Sequence, residues 1–365
     1  MPTRRTGAPA TTSSPATGGP ILVGQEQVAT TEPSQDQYRY QRVYPPDAKM
    51  YAPITGYYSY DFGRSGLEYS QNSQLSGTDD SQFVRRMLDI VTGEKPAGAT
   101  VETTINPDLQ QAAYQAMGNR KGAVVALDPK TGAVLAMVST PSYDPPNDLA
   151  SHDRQKATQA WSELNADSGS PLSNRAVREV YPPGVGVQTG HRRRGPGERP
   201  PPRRSAGGRP PETLRLPGSQ TYLGNQLDCG GTKITIEQAM KVSCNTAFAN
   251  LGLEVGSDKL RAQAEKFGFG SRPLPELSGG VASRFPASPN EAQTALSAIG
   301  QYEVAASPAA DGDGDRGDRE RRRRVRAVRG LQGARGRPVH DLHRASAVPG
   351  GSGGVPRAPL RPCRR

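Results

Sequence analysis

The alternation of apolar and polar residues is sharpest between positions 101 and 140. Asn106 precedes Pro107, and Leu109, Ala112, Ala113 and Ala116 recur at helical spacing before Gly118. A capping side chain, a proline in the first turn and a closing glycine predict a helix over 107–117. Two apolar runs follow, Gly122–Leu127 and Ala133–Val138, around the pentapeptide Asp128-Pro129-Lys130-Thr131-Gly132. They predict a β-hairpin, and their near-continuous apolar character predicts a sheet covered on both faces.

Helical spacing returns later in the chain. Thr235 and Gln238 form a capping-box pair around Ile236, ahead of Met240 and Val242, and the period breaks at Ser243-Cys244-Asn245. Further helices are expected from Thr246 to Leu253, from Ser257-Asp258 to Gly268 with Leu260, Ala264 and Phe267 buried, and over 290–304 with Ala295, Leu296 and Ile299 inward. A short one is expected over Asp80–Thr92 from Phe83, Met87, Leu88 and Val91. Other stretches are weakly patterned. Residues 1–36, rich in Thr, Pro, Ser and Gly, read as a disordered arm. The Tyr-rich stretch that follows reads as a small mixed module spanning 37–118. Beyond residue 308 no period survives.

A chain of 365 residues has room for two domains. Only 33% of its residues are hydrophobic, with 42 Gly and 34 Pro, a composition that would argue for disorder if it were spread evenly. It is not spread evenly, and neither is the net charge of +11. Residues 185–213 hold seven Arg against Glu198 and Glu212, and residues 309–365 hold fifteen Arg against six acids. Neither segment contains a Lys, and the rest of the chain is slightly acidic. Basicity confined to Arg runs without interleaved aromatic residues argues against specific nucleic-acid recognition.

Metal and cofactor chemistry is not expected. The three cysteines match no ligand spacing; Cys229 and Cys244 are read as separate buried thiols, with pairing in an oxidising compartment as the alternative. Asp311, Asp313 and Asp315 imitate the start of a calcium loop, but Arg316 and Arg322 stand where such a loop needs Gly and Glu. No apolar run reaches the length of a membrane span, and the first twenty residues lack the apolar stretch of a signal peptide.

Four segments occur in a fixed order: the hairpin GAVVALDPKTGAVLAMVSTPSYDP, the stretch PLSNRAVREVYPPG, the tripeptide Ser243-Cys244-Asn245 within VSCNTAFANLGLEVG, and AIGQYEVAASP. Together they resemble the class B penicillin-binding proteins, most closely the type A proteins of high-GC bacteria. The resemblance spans 37–184 and 214–308. It implies an α/β transpeptidase domain of the β-lactamase-like kind over 119–308, an antiparallel sheet flanked by helices, behind the smaller N-terminal pedestal.

The family cross-links peptidoglycan by serine acyl transfer on D-Ala-D-Ala stem peptides. Its signature is S-x-x-K, then S-x-N, then K-T-G. Ser and Lys at i and i+3 share a helix face, so a desolvated amine lies within reach of the hydroxyl. The S-x-N turn supplies a second hydroxyl and an amide, here Ser243 and Asn245. K-T-G lies on an edge strand along which the peptide adds. Lys130-Thr131-Gly132 spells that last motif but precedes the nucleophile region and reads as a hairpin turn.

In this family Y-P-P-G runs directly into the nucleophile motif. Here Tyr181-Pro182-Pro183-Gly184 is followed by Val185-Gly186-Val187-Gln188, so Val185 and Gln188 stand at the serine and lysine positions. The codons of Val-Gly-Val-Gln, shifted by one base, permit Ser-Val-Phe-Lys. Those of Ala309 to Arg316, shifted likewise, permit Leu-Gln-Met-Ala-Met-Val-Thr-Ala, an amphipathic helix. Lysine-free Arg, Gly, Pro and Ala is what GC-rich DNA yields in a wrong frame, so 185–213 and 309–365 are expected to be out of frame.

The expected partners are peptidoglycan stem peptides and cell-division or elongation proteins, with β-lactams added only for an intact in-frame protein. By resemblance the location is the outer face of the bacterial cytoplasmic membrane. Loss of the nucleophile predicts no acylation by this copy. A pseudoenzyme that binds stem peptides or divisome partners noncovalently and an Arg-rich nucleic-acid binder are the alternatives.

Overall fold

The computed structural model describes residues 18–82, 97–143, 146–184, 212–230 and 234–310. Val185, Gln188, the Arg-rich segments, the three aspartates after 310, Cys363 and all but the first turn of the helix expected over 80–92 lie outside the described residues.

The chain opens on a four-stranded mixed sheet. β1 (Ile21–Val23) turns at Gly24 and runs antiparallel to β2 (Glu26–Pro33), which pairs antiparallel with β3 (Tyr40–Val43). Ile21, Val23, Val28 and Ala29 are fully or almost fully buried. Residues 18–36, expected within a disordered arm, therefore belong to the fold: one short apolar strand gains a partner on each edge, and burial outweighs the polar composition of the rest.

The helices α1 (Ala48–Thr55), α2 (Gly66–Ser70) and α3 (Asn72–Leu75) follow, with a small hairpin of β4 (Tyr58–Ser59) and β5 (Gly63–Arg64) between the first two. β6 (Val101–Glu102) then closes the sheet parallel to β1. A buried ion pair ties the module together. Arg42 Nε lies 2.7 Å from Glu68 Oε1, its Nη1 donates to the Gly19 carbonyl, and the Tyr44 hydroxyl donates to the same Glu68 oxygen at 3.1 Å. Burial, with Glu68 beside it, pushes the Tyr44 phenol well above its ordinary pKa.

α4 (Pro107–Met117) starts as expected, with Asn106 accepting from the Leu109 N–H. Its buried face is not the one expected. Leu109 is 44% exposed, whereas Gln110 is fully buried. The reason lies in the next hairpin, β7 (Gly122–Leu127) paired with β8 (Val134–Thr140). The Gln110 amide accepts from the Met137 N–H at 2.8 Å and donates to the Met137 carbonyl at 2.9 Å, completing the outer edge of β8 as a strand would. α4 thus packs on this hairpin, and the same Gln110 amide also donates to the Met50 carbonyl of α1 at 2.9 Å.

The hairpin is covered unequally. β8 buries Val134, Ala136, Met137 and Val138 completely, while β7 is half-buried throughout. No described strand pairs with the outer edge of β7.

α5 (Pro146–Ala150), α6 (Arg154–Ala166) and α7 (Arg175–Arg178) lead to the Tyr181–Gly184 stretch. After it come the hairpin β9 (Thr213–Arg215) and β10 (Tyr222–Gly224), then α8 (Ile236–Lys241), α9 (Asn245–Val255), α10 (Ser257–Lys266) and α11 (Glu291–Ala298). Thr235 caps α8 as its sequence position suggests, and Asn290, at the start of the expected 290–304 helix, caps α11. α11 stops sooner than the expected 304, because Gly300 takes φ 69° and turns the chain. The architecture is a mixed sheet-and-helix domain behind a smaller N-terminal module, as the resemblance implies.

Candidate active site

The tripeptide Ser243-Cys244-Asn245 forms the tight junction between α8 and α9. Cys244 N–H donates to the Ala239 carbonyl at 2.8 Å and Ser243 N–H to the Met240 carbonyl at 3.2 Å, which closes α8. Ser243 adopts φ 53°, a left-handed conformation that costs a non-glycine residue about 1–3 kcal/mol and persists only where its surroundings over-determine it.

Three constraints do so here. A disulfide joins Cys244 to Cys229, so the reading of these residues as separate thiols is corrected. Spacing alone could not distinguish the two states, since pairing depends on the loop that brings Cys229 alongside the turn. Second, the Asn225 side chain, just past β10, accepts from the Thr246 N–H at 3.0 Å and donates to its hydroxyl at 2.9 Å. That satisfies one of the otherwise unpaired donors in the first turn of α9. Third, the Asn245 amide donates to the Gly224 carbonyl at 3.2 Å.

α9 carries the turn on a dense helical base. Thr246, Ala247, Phe248 and Ala249 are buried, and α9 lies against α11. The two helices approach closely at Gly252, where a Cβ would come within 2.2 Å of the Ala298 Cβ. Beyond α11, Gly300 O accepts from Gly184 N–H at 3.1 Å, and Tyr181 exchanges two 2.9 Å backbone hydrogen bonds with Ala306. A Cβ on Gly300 would sit 2.2 Å from the Gly184 carbonyl. Gly184, the residue before Val185, is therefore fixed to the helical base that carries Ser243 and Asn245.

The approach to Gly184 is held from the other side by Arg175, which is completely buried. Its guanidinium donates to the carbonyls of Gly169, Ser170, Ser173 and Pro141, and its Nε lies 3.2 Å from Glu179 Oε1. The Tyr181 hydroxyl donates to the second Glu179 oxygen; burial first and that hydrogen bond second raise its pKa.

The structure brings Ser243 and Asn245 onto one turn as expected. Lys130-Thr131-Gly132 is a hairpin turn: Asp128 Oδ1 accepts from the Lys130 N–H at 2.7 Å and the Thr131 N–H at 3.3 Å, and Gly132 takes φ 75°. These hydrogen bonds, the Lys130 one first, hold the Asp128 carboxyl below its ordinary pKa. Asn225 and the Gly184–Gly300 contact were not predicted, and the Cys229–Cys244 bond was the alternative reading; each partner lies far in sequence from the group it restrains. Among the described residues no group of His, Cys, Asp and Glu is placed to hold a metal.

Comparison with known proteins follows the same outline. The family model for the penicillin binding protein A dimerisation domain matches residues 18–101, and that for the penicillin binding protein transpeptidase domain matches 122–185 and 217–310. The chain is 42% identical over 301 residues to the peptidoglycan D,D-transpeptidase PbpA of Mycolicibacterium smegmatis, covering 80% of this chain and 60% of that protein. To PbpA of Mycobacterium tuberculosis it is 40% identical over 305 residues, covering 81% and 61%. It thus spans about three-fifths of the length of these relatives. The solved penicillin G acyl-enzyme complex of penicillin-binding protein A from M. tuberculosis superposes with a TM-score of 0.73 at 38% identity, covering 81% of this chain and 69% of that one. Pseudomonas aeruginosa PBP2 in complex with WCK 5153 gives 0.66 at 27% identity, covering 82% and 68%. With both modules matched in order and the S-C-N turn on its helical base, the chain belongs to the class B penicillin-binding proteins, on their penicillin-binding protein A branch.

Proposed function

We propose that this chain derives from a D,D-transpeptidase acting by serine acyl transfer on D-Ala-D-Ala stem peptides, and that this copy does not acylate. The observation that carries the reading is the anchored Tyr181–Gly184 stretch, fixed at Gly300 and Ala306 and followed directly by Val185. In the proposed parent the next residue is the nucleophilic serine, with the lysine three further on as its base. Ser243 would relay a proton and Asn245 would hold the substrate backbone. With Val185 and Gln188 in place, neither the attacking hydroxyl nor the amine is present.

The displaced reading frame explains why both are absent at once. It is supported by the transpeptidase match, which breaks off after 185, resumes at 217 and stops at 310. The expected disruptions at 185–213 and after 308 cover nearly the same segments. Fluorescent penicillin labelling tests the loss of acylation: no covalent band is expected, and a band would overturn it. Sequencing the coding DNA around codons 184–214 and 308 tests the frame; in-frame codons with no displaced Ser-Val-Phe-Lys beneath them would sink that part.

The retained S-C-N turn favours a second reading, a pseudoenzyme that holds stem peptides noncovalently. A D-Ala-D-Ala peptide binding reversibly, in the absence of any penicillin adduct, would select it. Placement outside the cytoplasmic membrane and association with division or elongation proteins are proposed from the family alone. No helix of the described residues is long and apolar enough to cross a membrane.

A further inference from the structure

The disulfide and the helical base hold the Ser243-Cys244-Asn245 turn from one side; Asn225 holds it from the other. Asn225 is half-buried and Thr246 is completely buried. Its Oδ1 accepts from both the Thr246 N–H at 3.0 Å and the Thr246 hydroxyl at 3.3 Å. Its Nδ2 donates to the Thr246 hydroxyl at 2.9 Å and more weakly to the Glu212 carbonyl at 3.4 Å. Both Oδ1 and Nδ2 of this amide thus bond Thr246, fixing the residue just past β10 to the first turn of α9. A residue serving only as a helix cap needs just the first of these bonds.

The preceding residue shows what else the arrangement accomplishes. The Gly224 carbonyl accepts from Asn245 Nδ2 at 3.2 Å, so the orientation of the Asn245 amide depends on where the end of β10 sits. One Nδ2 hydrogen is thereby committed inward, which fixes the orientation of the amide and leaves its second N–H and its Oδ1 for a ligand. An amide carries both donors and an acceptor, and its fixed partner decides where each of them points.

We propose that Asn225 is a positioning residue for the S-C-N turn: by locking Thr246 to the end of β10 it holds the Gly224 carbonyl against Asn245 and so fixes the orientation in which the Asn245 amide meets the substrate. The inference rests on the proposed role of Asn245 in holding the stem-peptide backbone. Asn225 itself touches no substrate.

The test uses the isotopically labelled full chain and needs no ligand. The side-chain amide pair of Asn245 is identified by its disappearance in Asn245→Asp. In Asn225→Ala that pair is expected to move towards solvent-exposed values and to exchange with water about fivefold faster, the equivalent of one net hydrogen bond lost. Thr246→Val is expected to move it in the same direction, and Thr246→Ser, which keeps the hydroxyl, to leave it in place. An Asn245 pair unmoved in Asn225→Ala while the melting temperature falls would make Asn225 a stabilising cap only and overturn the proposal. If Asn225→Ala does not fold, the two Thr246 variants decide: separated spectra support the lock, and coincident ones overturn it. Penicillin labelling judges the acyl-transfer reading independently, so failure of one is not mistaken for failure of the other.

Discussion

The N-terminal module and the helical region after residue 212 are held by different means. The first is sealed by long-range polar contacts: Arg42, Glu68 and Tyr44 meet in its interior, and strands from both ends of the segment share one sheet. The second has a core rich in alanine, with a covalent cross-link within it and a glycine-to-alanine contact between its helices. An ion pair in an interior is sustained only if the whole surround stays packed. A disulfide acts largely by restricting the unfolded chain and so stabilises a region whose neighbours in sequence contribute little. In the helical region the bond ties the Cys229 loop to the S-C-N turn 15 residues further on. The difference predicts that a defect in one region loosens that region first, although Leu274, Leu277 and Ala309 share a core with the N-terminal module.

The most damaging expected change is in the first region. Arg42→Ala leaves the Glu68 carboxylate buried without its counter-charge and is expected to cost about 3–5 kcal/mol, read by urea unfolding. Hydrogen exchange should show the loss concentrated in β1–β3; equal loosening of α9 and α11 would break the distinction between the regions. Next in size is Cys244→Ser, which opens a cross-link between residues 15 apart and is expected to cost about 3 kcal/mol. Faster exchange confined to α8, α9 and α11 is the outcome that sharpens the comparison. Smaller again is Gly252→Ala, whose new methyl meets Ala298; overpacking of about 1–3 kcal/mol is expected, with the α9–α11 contact loosened and the N-terminal sheet untouched.

The smallest effect belongs to Asp128, outside both regions. Its folded pKa is depressed, so its contribution is present above its unfolded value and lost as pH falls through the folded one. An NMR titration of the carboxyl should give a midpoint below about 3.9, and a midpoint at or above that value would contradict the turn geometry.

Local signals proved readable where one residue decides one event. Asn106, Thr235 and Asn290 start helices because a side-chain oxygen and a nearby N–H suffice. The β7–β8 hairpin and the S-C-N turn were legible for the same reason. What could not be read depends on distant partners. Gln110 looks like a surface residue until β8 lies beneath it, and Leu109 looks like core until the same strand claims the neighbouring position. Ile21-Leu22-Val23 is too short to count as a strand until Val101 arrives from 80 positions away. Asn225 and Cys229 carry no spacing that announces the turn they restrain.

The half-covered hairpin strand β7 has one further implication, for the fate of the chain in a cell. Its outer edge offers a row of backbone donors and acceptors beside valine and leucine side chains, with no described strand to receive them. Such an edge recruits whatever extended segment it meets, including the same strand of another copy. Wherever that edge is left open, pairing with extended segments of other copies competes with folding, and low yield is the expected consequence.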